Sequence, residues 1–184
     1  MPVHPENQLA ARAAIGLTTI HYADVAQCLA WYGNVQIILS LAPPNRQFMR
    51  RIIDGLAALE RHTRQRPAAL LIIRADVAPP DDEARTYIRD ELRRSTMVAA
   101  AQVVEGTGFR GATMRSVLSM IQLAVRPPFP MRVFSEIANG CAWLAGELQP
   151  YGGVAPEAAA LTHAASQVRQ RFAQQAIGAV DDGA

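Results

Sequence analysis

The chain has 184 residues, 50% of them hydrophobic and 18% charged, and its basic and acidic side chains leave a net charge of +2. That composition suits one globular domain with a real core; it is too apolar for a disordered chain and too close to neutral for a nucleic-acid binder. All 18 basic residues are arginine, which excludes lysine Schiff-base chemistry and the lysine-dependent phosphate loop of P-loop nucleotidases.

Residues 1–16 read as a short N-terminal arm, and the first structural signal is the alternation of Thr18–Tyr22, a strand. Ala23-Asp24 makes a turn, Gln27–Tyr32 a second strand, and Gly33-Asn34 a tight hairpin turn. Val35–Leu41 is almost continuously apolar, as a central strand should be, and Pro43-Pro44 stops it. The period then becomes helical. Phe48, Ile52, Leu56 and Leu59 line one face of a helix over Asn45–Arg64, which Pro67 ends. Ala68–Ile73 is a second buried strand. Pro79-Pro80-Asp81-Asp82-Glu83 opens a helix whose inner face is Ala84, Tyr87, Ile88 and Leu92. Val98–Val104 is a strand, and Met114, Val117, Leu118 and Ile121 mark a helix over Ala112–Val125 that Pro127-Pro128 terminates. Met131–Phe134 is a short strand, and Ser135 is placed to cap a helix carrying Ile137, Ala138, Cys141, Trp143 and Leu144.

The order β-β-β-α-β-α-β-α-β-α predicts an α/β domain over 17–148, with a mixed, largely parallel sheet and an antiparallel N-terminal edge. Residues 149–184 then supply a linker, one extra amphipathic C-terminal helix and a frayed tail. Leu161, Ala165, Val168, Phe172 and Ala176 form a single stripe on that helix, which must be buried against either the sheet or a partner; Leu161, Val168 and Phe172 are its candidate interaction surface. No apolar run approaches the ~20 residues of a membrane span.

Chemistry is sparse. Cys28 and Cys141 are far apart and lack a CxxC context, so neither a disulfide framework nor a zinc site is expected. His4, His21, His62 and His163 have no metal-like spacing, and there is no GxSxG elbow. No catalytic residue, metal or cofactor is assigned. Asp76, Asp81, Asp82 and Glu83 read as acids at the positive end of a helix, and the arginine groups 46/50/51, 61/64/66 and 89/93/94 as solvated helix faces. One motif stands out: Gly106-Thr107-Gly108-Phe109-Arg110-Gly111 is a literal GxGxxG between a strand and a helix. Gly106, Thr107, Gly108, Arg110 and Gly111 are therefore candidates to hold a small anionic ligand, since glycines let backbone N–H groups approach a phosphate at a helix N-terminus. A dinucleotide fingerprint belongs on the first βα unit, whereas here only one such unit follows. The competing reading is a tight structural turn.

The antiparallel start followed by βα repeats, the segment Val104–Arg110, and the ending Arg132-Val133-Phe134-Ser135 … Ala138 … Ala142-Trp143-Leu144 together resemble the STAS-like family, in the branch named for the anti-sigma-factor antagonist SpoIIAA. The resemblance implies a non-catalytic, cytoplasmic regulatory domain that works through a protein partner or self-association. It does not extend to the family's phospho-switch, because Arg74–Asp81 contains no hydroxyl residue where that switch would lie. The N-terminus lacks the charge and apolar pattern of a secretory signal, in keeping with a cytoplasmic setting. Two alternatives stand beside this expectation: a nucleotide- or phosphate-binding protein or enzyme using the Gly106–Gly111 loop, and a structural subunit assembling through the C-terminal helix.

Overall fold

The computed structural model describes residues 18–106, 108–151 and 155–181; the expected arm over 1–16 and the candidate ligand residue Thr107 lie outside the described residues. Six strands form one sheet in sequence order: β1 (Thr19–Ala23), β2 (Gln27–Tyr32), β3 (Val35–Ser40), β4 (Ala68–Arg74), β5 (Ala100–Glu105) and β6 (Met131–Phe134). The first three are antiparallel neighbours, and β3 through β6 are parallel. Among the described residues the helices are α1 (Arg46–Thr63), α2 (Asp82–Leu92), α3 (Gly108–Val125), α4 (Ile137–Leu148) and α5 (Ala158–Asp181). A mixed α/β sheet with an antiparallel N-terminal edge is thus the architecture that the hydrophobic periodicities predict.

Strand order equals chain order, so right-handed crossovers put α1, α2 and α3 on one face of the sheet. After β6 the chain passes to the other face, where α4 and α5 lie. Two buried clusters follow from this. One joins Leu29, Ile38, Ala69 and Ala100 of the sheet to Phe48, Ile52 and Leu92. The other joins Cys28, Ile37, Leu70 and Val103 to Leu144 of α4 and Leu161, Val168 and Phe172 of α5.

Local signals are realised closely in α1. The Asn45 side chain caps it, accepting from the Phe48 N–H at 2.9 Å, and Arg64 closes it in a left-handed conformation with φ 55°. Gly33 supplies the positive φ of 58° at the β2–β3 hairpin.

Several expectations shift. The helix expected from Ala112 begins at Gly108, so Gly108, Arg110 and Gly111 belong to its first turn rather than to a loop. Glu136, not Ser135, is the N-cap of α4, and it makes no side-chain cap hydrogen bond. The fifth strand starts at Ala100 rather than Val98, because its parallel pairing with β6 begins there, at Ala100–Met131. The C-terminal stripe is buried as expected, and of its two possible coverings, the sheet or a partner, it meets the sheet. Leu161 and Val168 are 0% exposed and Phe172 3% exposed, all inside this chain's own core. They are a packing face, not an open interaction surface. Ala176 lies where side chains are outside the described set.

One buried polar residue was invisible in an apolar-looking strand. Gln36 of β3 is fully buried; its Nε2 donates to the Ile52 carbonyl at 3.0 Å and its Oε1 accepts from Trp31 Nε1 at 3.3 Å. Gly55 of α1 makes room for it, since an added Cβ there would lie 2.4 Å from Gln36 Oε1. Gly55→Ala should gain about 0.5–1 kcal/mol of helix propensity. It should lose more, about 1–3 kcal/mol, by displacing a buried amide from its partners. The net expectation is a lower urea midpoint with an unchanged slope; a higher midpoint would show that Gln36 can move aside freely.

Candidate functional site

The glycine motif lies at the carboxyl ends of β4 and β5, and two of its glycines are explained by backbone contacts. Gly106 has φ 144°, and a Cβ on it would sit 2.7 Å from Ala75 Cβ. Gly111 rests on Gly106: a Cβ there would be 2.4 Å from the Gly106 carbonyl oxygen. Gly108 has φ 71° with open space around it. Arg110 is exposed, whereas Arg115, one turn further along, has Nη1 buried without a hydrogen-bond partner, near Gly111. Sequence reasoning picked Arg110 from the motif and passed over Arg115.

The acidic group after β4 is consumed locally. Asp81 is the N-cap of α2, accepting from the Ala84 N–H at 2.7 Å. Asp82 pairs with Arg85, and Glu83 with Arg46 at 2.8 Å. Asp76 is bonded by Arg74, which holds its carboxyl below the ordinary value. Among the described residues no group of three or more His, Cys, Asp or Glu is placed to hold a metal ion. Of the grouped arginines, Arg51 lies 4.4 Å over the Tyr22 ring, and Arg66 Nε donates to the Thr96 carbonyl at 2.7 Å. The His21 ring lies tilted against Trp31 with centroids 4.5 Å apart, and partial burial lowers its pKa. Burial pushes the Cys28 and Cys141 thiols up to about 11, so neither is a thiolate at neutral pH.

A cleft lies elsewhere, between the sheet and α1, α2 and α3. Its volume is about 150 Å³. The floor is the alternate, same-face residues of the central strands: Ile38 on β3, Ala69, Leu71 and Ile73 on β4, and Gln102 on β5. Phe48, Met49 and Ile52 of α1 and Ile88 and Leu92 of α2 form one wall; Met114, Leu118 and Gln122 of α3 form the other. One end, at the carboxyl ends of β3 and β4, is made by Ser40, Pro44 and the Val77–Pro80 segment. That is where α/β sheets commonly carry their sites. Of the described motif residues, Gly106 and Gly108–Gly111 do not line it; the later turns of α3 do.

Every described residue of the lining is uncharged. Its polar focus is a pair of facing amides: Gln122 Nε2 donates to Gln102 Oε1 at 3.0 Å. That bond leaves the Gln102 N–H groups and the Gln122 carbonyl free to meet a guest, one donor and one acceptor side by side. Four of the six methionines, Met49, Met97, Met114 and Met131, touch the cavity, and their flexible thioethers can adapt to a guest's shape.

Comparison of the chain with family models, with curated proteins and with solved structures finds no match. Fold and cleft therefore define the class: an α/β protein with a six-stranded mixed sheet, helices on both faces, and an apolar cleft under three of them. Among the described residues no helix is long and apolar enough to cross a membrane.

Proposed function

We propose that the chain is a non-catalytic regulatory domain of STAS-like type whose cleft takes up a small, uncharged, largely apolar molecule. The observation that carries the reading is the cleft itself, about 150 Å³ lined by apolar side chains around the Gln102–Gln122 pair. Leaving such a space empty costs up to about 3–4 kcal/mol in lost packing, which a guest recovers on entry. Apolar cavities of this size accept ligands on the scale of benzene, so a guest has roughly six to ten heavy atoms. The amide pair favours a guest with one neutral hydrogen-bonding group, such as a phenol, alcohol or amide. A charged guest would be buried without a counter-charge, at high cost.

Thermal denaturation with indole, p-cresol and 1-octanol at millimolar concentration tests the proposal. A ligand at 100 times its Kd stabilises by about 2.7 kcal/mol, which for a domain of this length raises Tm by about 5–10 °C. Leu71→Trp should fill the cleft and abolish the shift while the protein stays folded. Gln102→Leu should remove most of the preference for p-cresol over toluene. No shift with any of the three compounds overturns the reading.

A further inference from the structure

The floor of the cleft is set in three rows across the sheet. Ala69, Ala100 and Met131 pair side by side in the first row, Ile38, Leu71 and Gln102 in the second, and Ser40 and Ile73 in the third. Each row lies two residues further along the strands, so the floor runs about 13 Å from first to third. On α3 the lining positions Met114, Leu118, Gln122 and Val125 follow about 16 Å of helix axis. A round space of 150 Å³ would be only about 7 Å across. The cleft is therefore a long, narrow channel along the strands.

Its two ends differ. At the amino ends of β4 and β5, Leu56, Ala69, Leu92, Met97 and Ala100 are all buried and close it. At the carboxyl ends Ile73 and Met114 are half-buried and Ala78 and Pro79 exposed, which makes that end the mouth. The walls are aliphatic. Phe48 is the one aromatic side chain among the described lining residues, so a planar guest finds no pair of rings to lie between. The smallest floor positions, Ala69 and Ala100, sit at the closed end, and the Gln102–Gln122 amides stand one row nearer the mouth.

We propose that the guest is an unbranched alkyl chain with a neutral hydroxyl or amide head, inserted tail first. This inference rests on the reading of the cleft as a ligand site and names the shape that the site selects. The methyl end lies over Ala69 and Ala100, and the head meets the Gln102–Gln122 pair, which offers it one donor and one acceptor. A straight chain keeps contact with wall atoms along its whole length, whereas a branch or a ring must push the walls apart, against close packing. The methionines suit the same guest: Met97 and Met131 lie towards the closed end and Met114 at the mouth, where unbranched thioethers can follow a flexible chain.

Isothermal titration calorimetry of the full chain with straight 1-alkanols from butanol to decanol tests the channel. Affinity should rise about fourfold with each methylene and stop rising near about eight carbons, where the tail reaches the closed end. 1-Octanol should bind at least about tenfold tighter than its branched isomer 2-ethyl-1-hexanol, and tighter than cyclooctanol and p-cresol, because the wider guests strain the walls. Ala100→Leu adds three carbons at the closed end and should move the break down by about two to three carbons. Equal binding of the branched, cyclic or aromatic compounds, or a series without a break, would overturn the channel and leave the cleft as a ligand site. An Ala100→Leu protein that melts cooperatively yet keeps the wild-type break would do the same. The isomer comparison is made on the wild type and decides the matter even where that variant fails to fold. Absence of binding by every compound would overturn the channel and the ligand site together.

Discussion

A chain ending at Gln149 is expected to lose its cooperative fold. Removing α5 takes away Leu161, Ala165, Val168 and Phe172, each 3% exposed or less, and uncovers the Cys28, Tyr32 and Leu144 surface they pack against. Each of the three large side chains contributes about 1.5–3 kcal/mol by burial, so the loss rivals the about 5–15 kcal/mol that holds a typical domain together. The Arg169–Glu105 ion pair at 3.1 Å goes too, but with Arg169 mostly exposed it adds little. The truncated chain should show no sharp thermal transition and should bind a dye that reports exposed apolar surface. The single change Phe172→Ala should cost about 3–5 kcal/mol, read as a lower urea midpoint in the full chain. An unchanged melting point after truncation would contradict the burial of the stripe.

Gly111→Ala should destabilise, against the ordinary rule. Alanine in place of a helical glycine normally stabilises by about 0.5–1 kcal/mol. Here the new methyl would meet the Gly106 carbonyl oxygen at 2.4 Å and its carbon at 3.0 Å. Both are backbone atoms, which cannot swing aside as a side chain would. Relief requires the start of α3 to shift, at a cost of about 1–3 kcal/mol. Gly106→Ala should behave similarly, because φ 144° is strained for alanine and Ala75 blocks the space. Gly108→Ala meets no neighbour and bears only the penalty of its φ of 71°, about 1–2 kcal/mol. Equilibrium urea unfolding of the three variants should therefore rank Gly108→Ala as the mildest. Three equally mild changes would return the motif to the reading of an open, ligand-facing loop.

The glycine motif shows how one pattern can serve two purposes. Glycines let a backbone approach a phosphate, and they equally let one backbone approach another. Spacing is the same in both cases. What separates them is the position of Ala75, which belongs to a loop 31 residues upstream of Gly106 and meets it only once β4 and β5 are paired.

Local chemistry by itself determined the elements and their order. Asn45, Pro67, the Gly33-Asn34 turn and the four-residue spacing of Phe48, Ile52 and Leu56 act within a few residues of chain, so their effects are written where they occur. The adjacency of Val35–Ser40, Ala68–Arg74 and Ala100–Glu105 also followed, because short crossovers between apolar strands leave few other arrangements. Tertiary structure alone decided what each apolar face meets. The stripe of α5 has the same spacing whether it covers its own sheet or a partner, and here it closes the core over β2 and α4. The cleft depends on how far α3 stands from the sheet, a distance that helical periodicity does not encode. Met114 and Leu118 read as ordinary core, and Gln102 and Gln122 became a facing pair only when strand and helix were set 3.0 Å apart at their amides. Helix α3 carries apolar groups on both faces, so its sequence names no single inside; the sheet chose one face, and Phe109, Met120 and Leu123 remained outside.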